Sequence, residues 1–176
     1  MLDKIYDAIR DVPDFPEEGI VYKDITPLLH NPDLFFQATD RMTVGIDPAN
    51  VDKVLAIEAR GFLFAGPVGK TLDAGIILAR KTGKLPWKRR RVEYALEYGT
   101  DSIEIHEDAI KAGERVLIVD DVLATGGTAR AAAQIVEESG GRLAGFVFLI
   151  ELTFLDGRSR LPDVPVNSLL TYPRVS

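Results

Sequence analysis

The segment Val116–Thr128, VLIVDDVLATGGT, joins a short apolar run to two adjacent aspartates and a turn with two adjacent glycines. A glycine-rich turn that opens a helix directs backbone N–H groups at an anion, and the hydroxyls of Thr125 and Thr128 add further donors. Paired carboxylates would repel a phosphate, but they accept hydrogen bonds from vicinal hydroxyls and are hard ligands for Mg²⁺. The segment therefore predicts a site for a phosphorylated ribose, with Asp120 and Asp121 at the sugar.

The predicted phosphate-binding loop consists of Ala124, Thr125, Gly126, Gly127 and Thr128. A glycine pair alone is more often an ordinary tight turn after a strand. The aspartate pair and the two threonines favour the ligand-binding interpretation here.

Two basic segments could bind further anions. Arg60, in Glu58–Gly61, follows a predicted strand and could hold an anion through both guanidinium nitrogens, although a surface arginine on a loop is about equally consistent. The run RKTGKLPWKRRR, residues Arg80–Arg91, has seven basic residues in twelve and no acid. Gly83 and Pro86 indicate a loop, which could be a mobile lid over a polyphosphate. The alternatives are a solvated basic loop or a nucleic-acid patch in which Trp87 stacks on bases.

Other chemistry-bearing patterns are weaker. The stretch GPVGKT resembles part of a Walker A loop, but Phe64 occupies the position where that motif needs glycine. His30 and His106 have no partners at metal-ligand spacing, and we interpret both as structural or surface residues. Glu97 could transfer a proton, although a lone glutamate on a strand is usually just solvated.

These residues must be positioned by alternating strands and helices. Apolar runs at 54–57, 76–79, 116–119 and 143–150 predict strands, and 103–106 predicts a half-exposed one. Helices are predicted near the N-terminus, from Thr26-Pro27, from Asn31-Pro32 to about Val44, up to about Leu72, and over 128–138. Such alternation predicts an α/β fold with a parallel sheet, in which ligands bind beyond the carboxyl ends of the strands.

The bulk composition indicates a single globular domain spanning 1–176. The chain has 46% hydrophobic residues, no cysteine and a net charge of −6. The acidic balance argues against general nucleic-acid binding, and the longest clear apolar run is too short to span a bilayer. The charged N-terminus does not resemble a secretory signal, so we expect a cytoplasmic protein without membrane association.

Taken together, the segments resemble the type I phosphoribosyltransferases, and most closely their adenine-specific members. VLIVDDVLATGGT is similar to the 5-phosphoribosyl diphosphate (PRPP) signature of the whole family. The narrower resemblance is carried by PDFPEEGIVYKDITPLL, IEARGF, RKTGKLP and LEYGTDSIEIHEDAI, in that order. It extends over nearly the whole chain and implies a central parallel sheet flanked by helices, with a small N-terminal hood over about 1–30.

The resemblance implies that adenine and PRPP react to give AMP and pyrophosphate, with Mg²⁺ carried by PRPP, in a homodimer. It assigns the ribose and any direct metal contact to Asp120 or Asp121, and the 5′-phosphate to the predicted phosphate-binding loop. Pyrophosphate would be bound by Arg60, Arg80, Lys81 and Lys84. Adenine would be bound by Val21, Tyr22, Lys23 and Leu152. Glu97 matches the carboxylate expected to accept the proton that adenine loses.

Two rival functions remain open at this point. The PRPP site could serve another purine base, because the signature itself does not specify adenine. The other is a PRPP-sensing regulator that binds nucleic acid, which the acidic balance and the lack of a DNA-binding motif disfavour.

Overall fold

The computed structural model describes residues 2–95 and 99–173. Its described strands form a two-stranded sheet, order β1-β2, and a seven-stranded sheet, order β5-β6-β4-β3-β7-β8-β9. The strands are β1 Arg10–Pro13, β2 Val21–Asp24, β3 Lys53–Ile57, β4 Gly75–Lys81, β5 Arg89–Ala95, β6 Thr100–His106, β7 Arg115–Leu123, β8 Arg142–Leu152 and β9 Val166–Tyr172. The α-helices are α1 Leu2–Asp7, α2 Thr26–Leu29, α3 Pro32–Met42, α4 Gly61–Leu72 and α5 Gly127–Glu138.

The large sheet is parallel at its centre and antiparallel at one edge. Strands β4, β3, β7, β8 and β9 pair in parallel, whereas β6 and β5 join antiparallel beside β4. Parallel pairing brings the carboxyl ends of the central strands to one edge of the sheet, where α/β proteins bind ligands. The predicted α/β fold with a mostly parallel sheet is confirmed.

Helices cover both faces of the sheet, and each face has its own core. On one side α4 and α3 pack with Phe64, Val68 and Met42 buried against β3, β7 and β8. On the other side α5 presents a run of small side chains that includes Ala132, with Ile135, to β5–β8. Alanines allow this helix to approach the sheet closely, which brings its N-terminus to the end of β7.

A small unit, called the hood below, precedes the main sheet. It consists of α1, the β1–β2 hairpin and α2, and it is joined to β9 by aromatic contacts. The ring of Tyr6 packs edge-on against Tyr172 with centroids 5.4 Å apart, and the Tyr6 hydroxyl accepts the Thr171 N–H at 2.9 Å. The hairpin and β9 were not predicted from the sequence, because their short runs mix polar and apolar residues.

The helix starts were predicted with mixed success. Asn31 caps α3, since its side chain accepts the Leu34 N–H at 3.1 Å. Thr26 does not cap α2: the helix begins at Thr26 itself, and both the Thr26 N–H and its hydroxyl donate to Asp24. The GPVGKT stretch lies within α4 and forms no phosphate-binding loop.

Three other predictions were wrong in detail. Arg89–Arg91 belong to β5, so the basic run is not one continuous loop. Strand β6 is not half-exposed, because Glu104 is as buried as the isoleucines beside it. Strand β7 continues through both aspartates to Leu123, pairing with β8, so that Asp120 and Asp121 lie inside the strand.

No helix in the described part of the chain is long and apolar enough to span a membrane.

Candidate active site

A cleft of about 550 Å³ opens at the carboxyl edge of the central strands. Its walls come from β2, the end of β3 with the β3–α4 connection, the end of β4, β5, β6, β7 with the start of α5, and the end of β8. The predicted site residues that line it are Val21, Tyr22, Lys23, Arg60, Lys81, Asp120, Asp121, Ala124, Thr128 and Leu152. Residues far apart in the chain therefore meet at one site.

The aspartate pair lines the cleft because of a difference between the two ladders of β7. Pairing with β3 ends at Val119, whereas pairing with β8 continues to Leu123. Beyond Val119 the strand has no neighbour on the β3 side, and α4 begins there. A Cβ atom added at Gly61 would lie 3.0 Å from an oxygen of Asp120, so the start of α4 rests directly on this carboxylate.

Both carboxyl groups lie where their ionised form is disfavoured. Burial, followed by the neighbouring charge of Asp121, raises the pKa of Asp120 well above its usual range. Burial also raises the pKa of Asp121, against the opposing effect of Arg60. Asp121 is buried, and its Oδ2 lies 2.6 Å from the Nε of Arg60 without an aligned hydrogen bond. A ligand that brings hydroxyl donors or a cation would stabilise the ionised form of both groups.

Arg60 connects the carboxylates to the hood. Its guanidinium carbon lies 5.3 Å from the centre of the Tyr22 ring, within range of a cation–π contact. The Tyr22 ring is itself supported edge-on by Phe15, with centroids 5.2 Å apart. The side chain of Arg60 remains 41% exposed, so it can be recruited by an anion in the cleft.

The predicted phosphate-binding loop lies between β7 and α5 and forms a second, smaller cavity of about 80 Å³ beside the cleft. Gly126 has a φ of +80°, a conformation that favours glycine. A Cβ atom on Gly126 would also collide with the carbonyl of Gly157, and one on Gly157 would collide with the carbonyl of Ala124. The loop is therefore formed by close backbone-to-backbone packing, and it leads directly into the N-terminus of α5.

The hood contributes Val21, Tyr22 and Lys23 to one wall of the cleft, and Leu152 contributes from the end of β8. The ammonium of Lys23 is turned aside: it lies 2.5 Å from Asp11 and 4.2 Å from the centre of the Tyr172 ring. Burial, with the nearby Tyr6 and Asp11, raises the pKa of Tyr172 to about 12. The side chain of Lys23 thus anchors the hood.

The four basic residues predicted to bind pyrophosphate fall into two pairs in the structure, one inside the cleft and one outside it. Arg60 and Lys81 line the cleft, whereas Arg80 and Lys84 are outside its lining as described. Arg80 instead pairs with Glu58 at 3.3 Å and donates to the Lys84 carbonyl. Although burial opposes it, the Lys81 N–H and the Arg80 guanidinium lower the pKa of Glu58, which stays ionised.

The connection 82–88, between β4 and β5, is docked on β6. The Gly83 N–H donates to Glu104 at 3.1 Å, Arg89 pairs with the same carboxylate at 3.2 Å, and Thr82 bonds to Ser102. The Trp87 ring lies edge-on to His106, with centroids 6.4 Å apart. This connection covers the face of β6, which explains why Glu104 is buried.

Residues 28–166 match the phosphoribosyl transferase domain family. This chain is a phosphoribosyltransferase. It is 52% identical over 172 residues to an adenine phosphoribosyltransferase of Anaeromyxobacter dehalogenans, covering 98% of this chain and 100% of the relative. It is 54% identical over 164 residues to an adenine phosphoribosyltransferase of Myxococcus xanthus, covering 93% and 89% of the two chains.

Solved structures agree with this family membership. The adenine phosphoribosyltransferase of Rhodothermus marinus superimposes with a TM-score of 0.92 at 51% identity, covering 97% of this chain and 98% of the other. That of Saccharomyces cerevisiae, solved with adenine and D-2,5-dideoxy-2,5-imino-altritol 1,6-bisphosphate, gives 0.91 at 40% identity, covering 96% and 98%.

Three polar residues that line the cleft of this phosphoribosyltransferase were not predicted from the sequence as site residues. They are Glu58, Tyr94 and Asp101. Tyr94 and Asp101 are opposite each other on β5 and β6. Their place at the cleft follows from antiparallel pairing beside the parallel sheet, which a single sequence does not reveal. Glu97, the predicted proton acceptor, lies outside the described residues.

Proposed function

We infer that this protein is an adenine phosphoribosyltransferase, which transfers the 5-phosphoribosyl group of PRPP to adenine and releases AMP and pyrophosphate in purine salvage. The observation that carries the inference is a pair of adjacent aspartates that lines the cleft beside a glycine-rich loop at a helix start, with Arg60 in contact with Asp121. The full-length likeness to adenine phosphoribosyltransferases supports adenine as the base.

The sugar phosphate is bound between β7 and α5 in this proposal. Asp120 and Asp121 accept hydrogen bonds from the two ribose hydroxyls, which add donors to those that the Asp121 N–H and Arg60 already provide. The 5′-phosphate enters the small cavity formed by residues 124–128, where backbone N–H groups and the α5 dipole favour an anion.

Pyrophosphate departure is assisted by cations that already line the cleft. Displacement at the anomeric carbon passes through an oxocarbenium-like state, in which negative charge accumulates on the leaving diphosphate. Arg60 and Lys81 would stabilise that charge from this subunit. Arg80 and Lys84 remain candidates, and Arg80 would have to exchange Glu58 for the diphosphate or act on a neighbouring subunit.

The base is bound between the hood and β8. Tyr22 offers an aromatic face for adenine, the backbone of Val21 and Lys23 offers donors and acceptors to the base edge, and Leu152 packs on the opposite side. Glu97 would accept a proton from adenine as N9 attacks. A carboxylate beside a nucleobase is suited to this proton transfer.

Mg²⁺ is proposed as the metal, delivered with the diphosphate of PRPP. The carboxylates of Asp120 and Asp121 are oxygen donors of the kind that a hard cation prefers, and Oδ2 of Asp121 would have to leave Arg60 to bind one. Within 2–95 and 99–173, no three potential ligand side chains cluster, which is consistent with a metal held mainly by the substrate. Bound there, Mg²⁺ would offset the negative charge of the diphosphate.

The protein is proposed to act as a cytoplasmic homodimer that needs neither membrane nor nucleic acid. Leu63 on α4 and Ile76 and Leu78 on β4 are each nearly half exposed and form an apolar face on one side of the sheet. Ile76 lies against Gly69 of α4, which makes this face continuous. A second copy is the proposed occupant, since Arg80 on the same strand could then reach a neighbouring site.

A panel of purine bases tests the function. The purified protein is incubated with PRPP, Mg²⁺ and adenine, guanine, hypoxanthine or xanthine in turn, and nucleotide products are separated by chromatography. We expect AMP to form fastest. If IMP or GMP forms at least as quickly, the family remains but the assignment to adenine is wrong.

A further inference from the structure

The ammonium of Lys81 is already engaged within the cleft. Its Nζ lies 3.3 Å from an oxygen of Asp101. The lysine side chain is 61% exposed, so it can swing away from this partner without disrupting a packed core. An exposed ion pair of this kind is weak, of the order of 1 kcal/mol or less, and exchanges readily.

Asp101 is an unusual residue for a cleft that receives polyanions. Burial opposes ionisation, but the Ser102 N–H and Lys81, with a smaller contribution from Tyr94, lower the pKa of Asp101. The group is therefore a carboxylate at neutral pH. A carboxylate beside a diphosphate is unfavourable unless it has a task that involves a cation.

A hydroxyl links Asp101 to the phosphate-binding loop. The Tyr94 hydroxyl lies 3.3 Å from the Asp101 carboxylate and accepts the Thr128 hydroxyl at 3.2 Å. Burial raises the pKa of Tyr94, which keeps its proton available to the carboxylate. The side chains of Lys81, Asp101, Tyr94 and Thr128 thus form a continuous chain between the two anion-binding regions.

We propose that Asp101 is a positioning residue for Lys81. In the free enzyme Asp101 holds the Lys81 ammonium, and in each turnover the ammonium moves to the diphosphate and then returns to Asp101. This rests on the proposed function. When PRPP binds, Lys81 turns from Asp101 to the diphosphate, while Tyr94 continues to donate to Asp101. After the reaction Asp101 competes with pyrophosphate for the ammonium and promotes pyrophosphate release.

The test measures pyrophosphate binding by titration calorimetry at fixed Mg²⁺. The proteins compared are the unmodified enzyme, Asp101→Asn, Lys81→Ala and the double variant. Asp101→Asn should bind pyrophosphate about two- to fivefold more tightly, the range set by an exposed ion pair. Lys81→Ala should bind pyrophosphate more weakly, and the double variant should bind it no more tightly than Lys81→Ala alone.

Two outcomes would overturn the proposal. One is unchanged or weaker pyrophosphate binding by Asp101→Asn. The other is equal tightening with and without Lys81, which would mean that Asp101 repels the ligand directly. Asp108→Asn, on the exposed turn after β6, makes the same change in net charge and should leave pyrophosphate affinity unaltered.

Thermal unfolding of each variant checks the fold, and Asp101→Ser replaces Asp101→Asn if the latter is unstable. The release step is measured separately, because Asp101→Asn should slow the exchange of bound pyrophosphate. AMP formation by the unmodified enzyme tests the proposed function independently. A protein that binds pyrophosphate as predicted but forms no AMP would contradict the function and leave the Lys81 exchange intact.

Discussion

Asp120 and Asp121 are the residues at which folding and the proposed substrate binding make opposite demands. Two adjacent carboxylates at the end of a buried ladder cost stability, and their raised pKa values record that cost. In the proposed function, the ribose hydroxyls offset part of that cost when PRPP binds. The proposed function thus accounts for an arrangement that folding alone would not favour.

Replacing Asp120 by asparagine should stabilise the free protein and weaken PRPP binding. The folded-state pKa is raised, so the ionised group destabilises the fold above its unfolded pKa, near 4, and this cost grows with pH up to the folded pKa. The melting temperature of Asp120→Asn should exceed that of the unmodified protein at pH 8, by roughly 2–4 °C per kcal/mol. The difference should shrink as the pH falls toward 4.

PRPP affinity is measured on the same proteins by calorimetry. Asp120→Asn combined with Asp121→Asn should lose about 10- to 100-fold in affinity, as expected when charged hydrogen-bond acceptors are removed. PRPP affinity equal to that of the unmodified protein would refute the assignment of this pair to the ribose.

Glu97→Gln should affect the chemical step. If Glu97 accepts the adenine proton, kcat should fall by about 10²–10⁴-fold, the usual contribution of a positioned base, while PRPP affinity changes little. Steady-state kinetics with adenine and an independent PRPP titration separate the two effects. An unaltered kcat would remove Glu97 from the reaction, whereas lost PRPP affinity would reassign it to binding.

At the scale of elements, the site depends on where strands end and on how closely loops approach. The position of the aspartates at the cleft follows from strand register, since β3 pairs with β7 only up to Val119, whereas β8 pairs with β7 up to Leu123. The alternation of apolar runs was sufficient to predict the central strands and α3–α5. It did not indicate the hood hairpin, β9 or the docked connection over Glu104, whose stabilising contacts are distant in sequence.

Gly157→Ala should disturb the phosphate-binding loop from outside it. A methyl group at Gly157 would collide with the Ala124 carbonyl and push the loop from its position. We expect the KM for PRPP to rise by about tenfold or more, because a misplaced loop loses several N–H contacts at once. Steady-state kinetics with adenine at saturation measure this.

Gly66→Ala is the matched control for that substitution. Nothing lies within 4 Å of a Cβ atom at Gly66, which is in the interior of α4. Alanine there should leave KM unchanged, because Gly66 lies outside the cleft and the predicted phosphate-binding loop. Its gain in helix propensity is opposed by contact of the new methyl group with the ring of Pro67, which follows it in α4. Equal kinetic behaviour of the two variants would show that the Gly157 contact does not position the loop.

At the scale of the whole molecule, the apolar face of Leu63, Ile76 and Leu78 remains to be covered. Leu78→Glu should convert the proposed dimer to a monomer, because a carboxylate in the centre of an apolar interface would be buried without a partner. Sedimentation velocity gives the mass directly. Val44→Glu, an exposed apolar position whose carbonyl contacts Asn167 of β9 at the opposite edge of the sheet, should leave the mass unchanged.

A monomeric Leu78→Glu protein with full activity would show that Arg80 has no task across an interface. A dimer that persists in Leu78→Glu would place the interface on another surface. Activity that falls together with the mass would support a site completed by both subunits.

The sequence by itself determined the α/β class, the predicted phosphate-binding loop after the paired aspartates, and the family, because each is encoded in contiguous residues whose types have local physical consequences. Tertiary structure alone decided which cations face the cleft, that the Lys23 ammonium anchors the hood, and that Tyr94 and Asp101 join the site. Those outcomes depend on strand pairing and on competition among partners far apart in the chain: Arg80 and Lys81 are neighbours, yet Glu58 holds one and Asp101 the other. Spacing cannot reveal which partner prevails when several carboxylates compete for one cation.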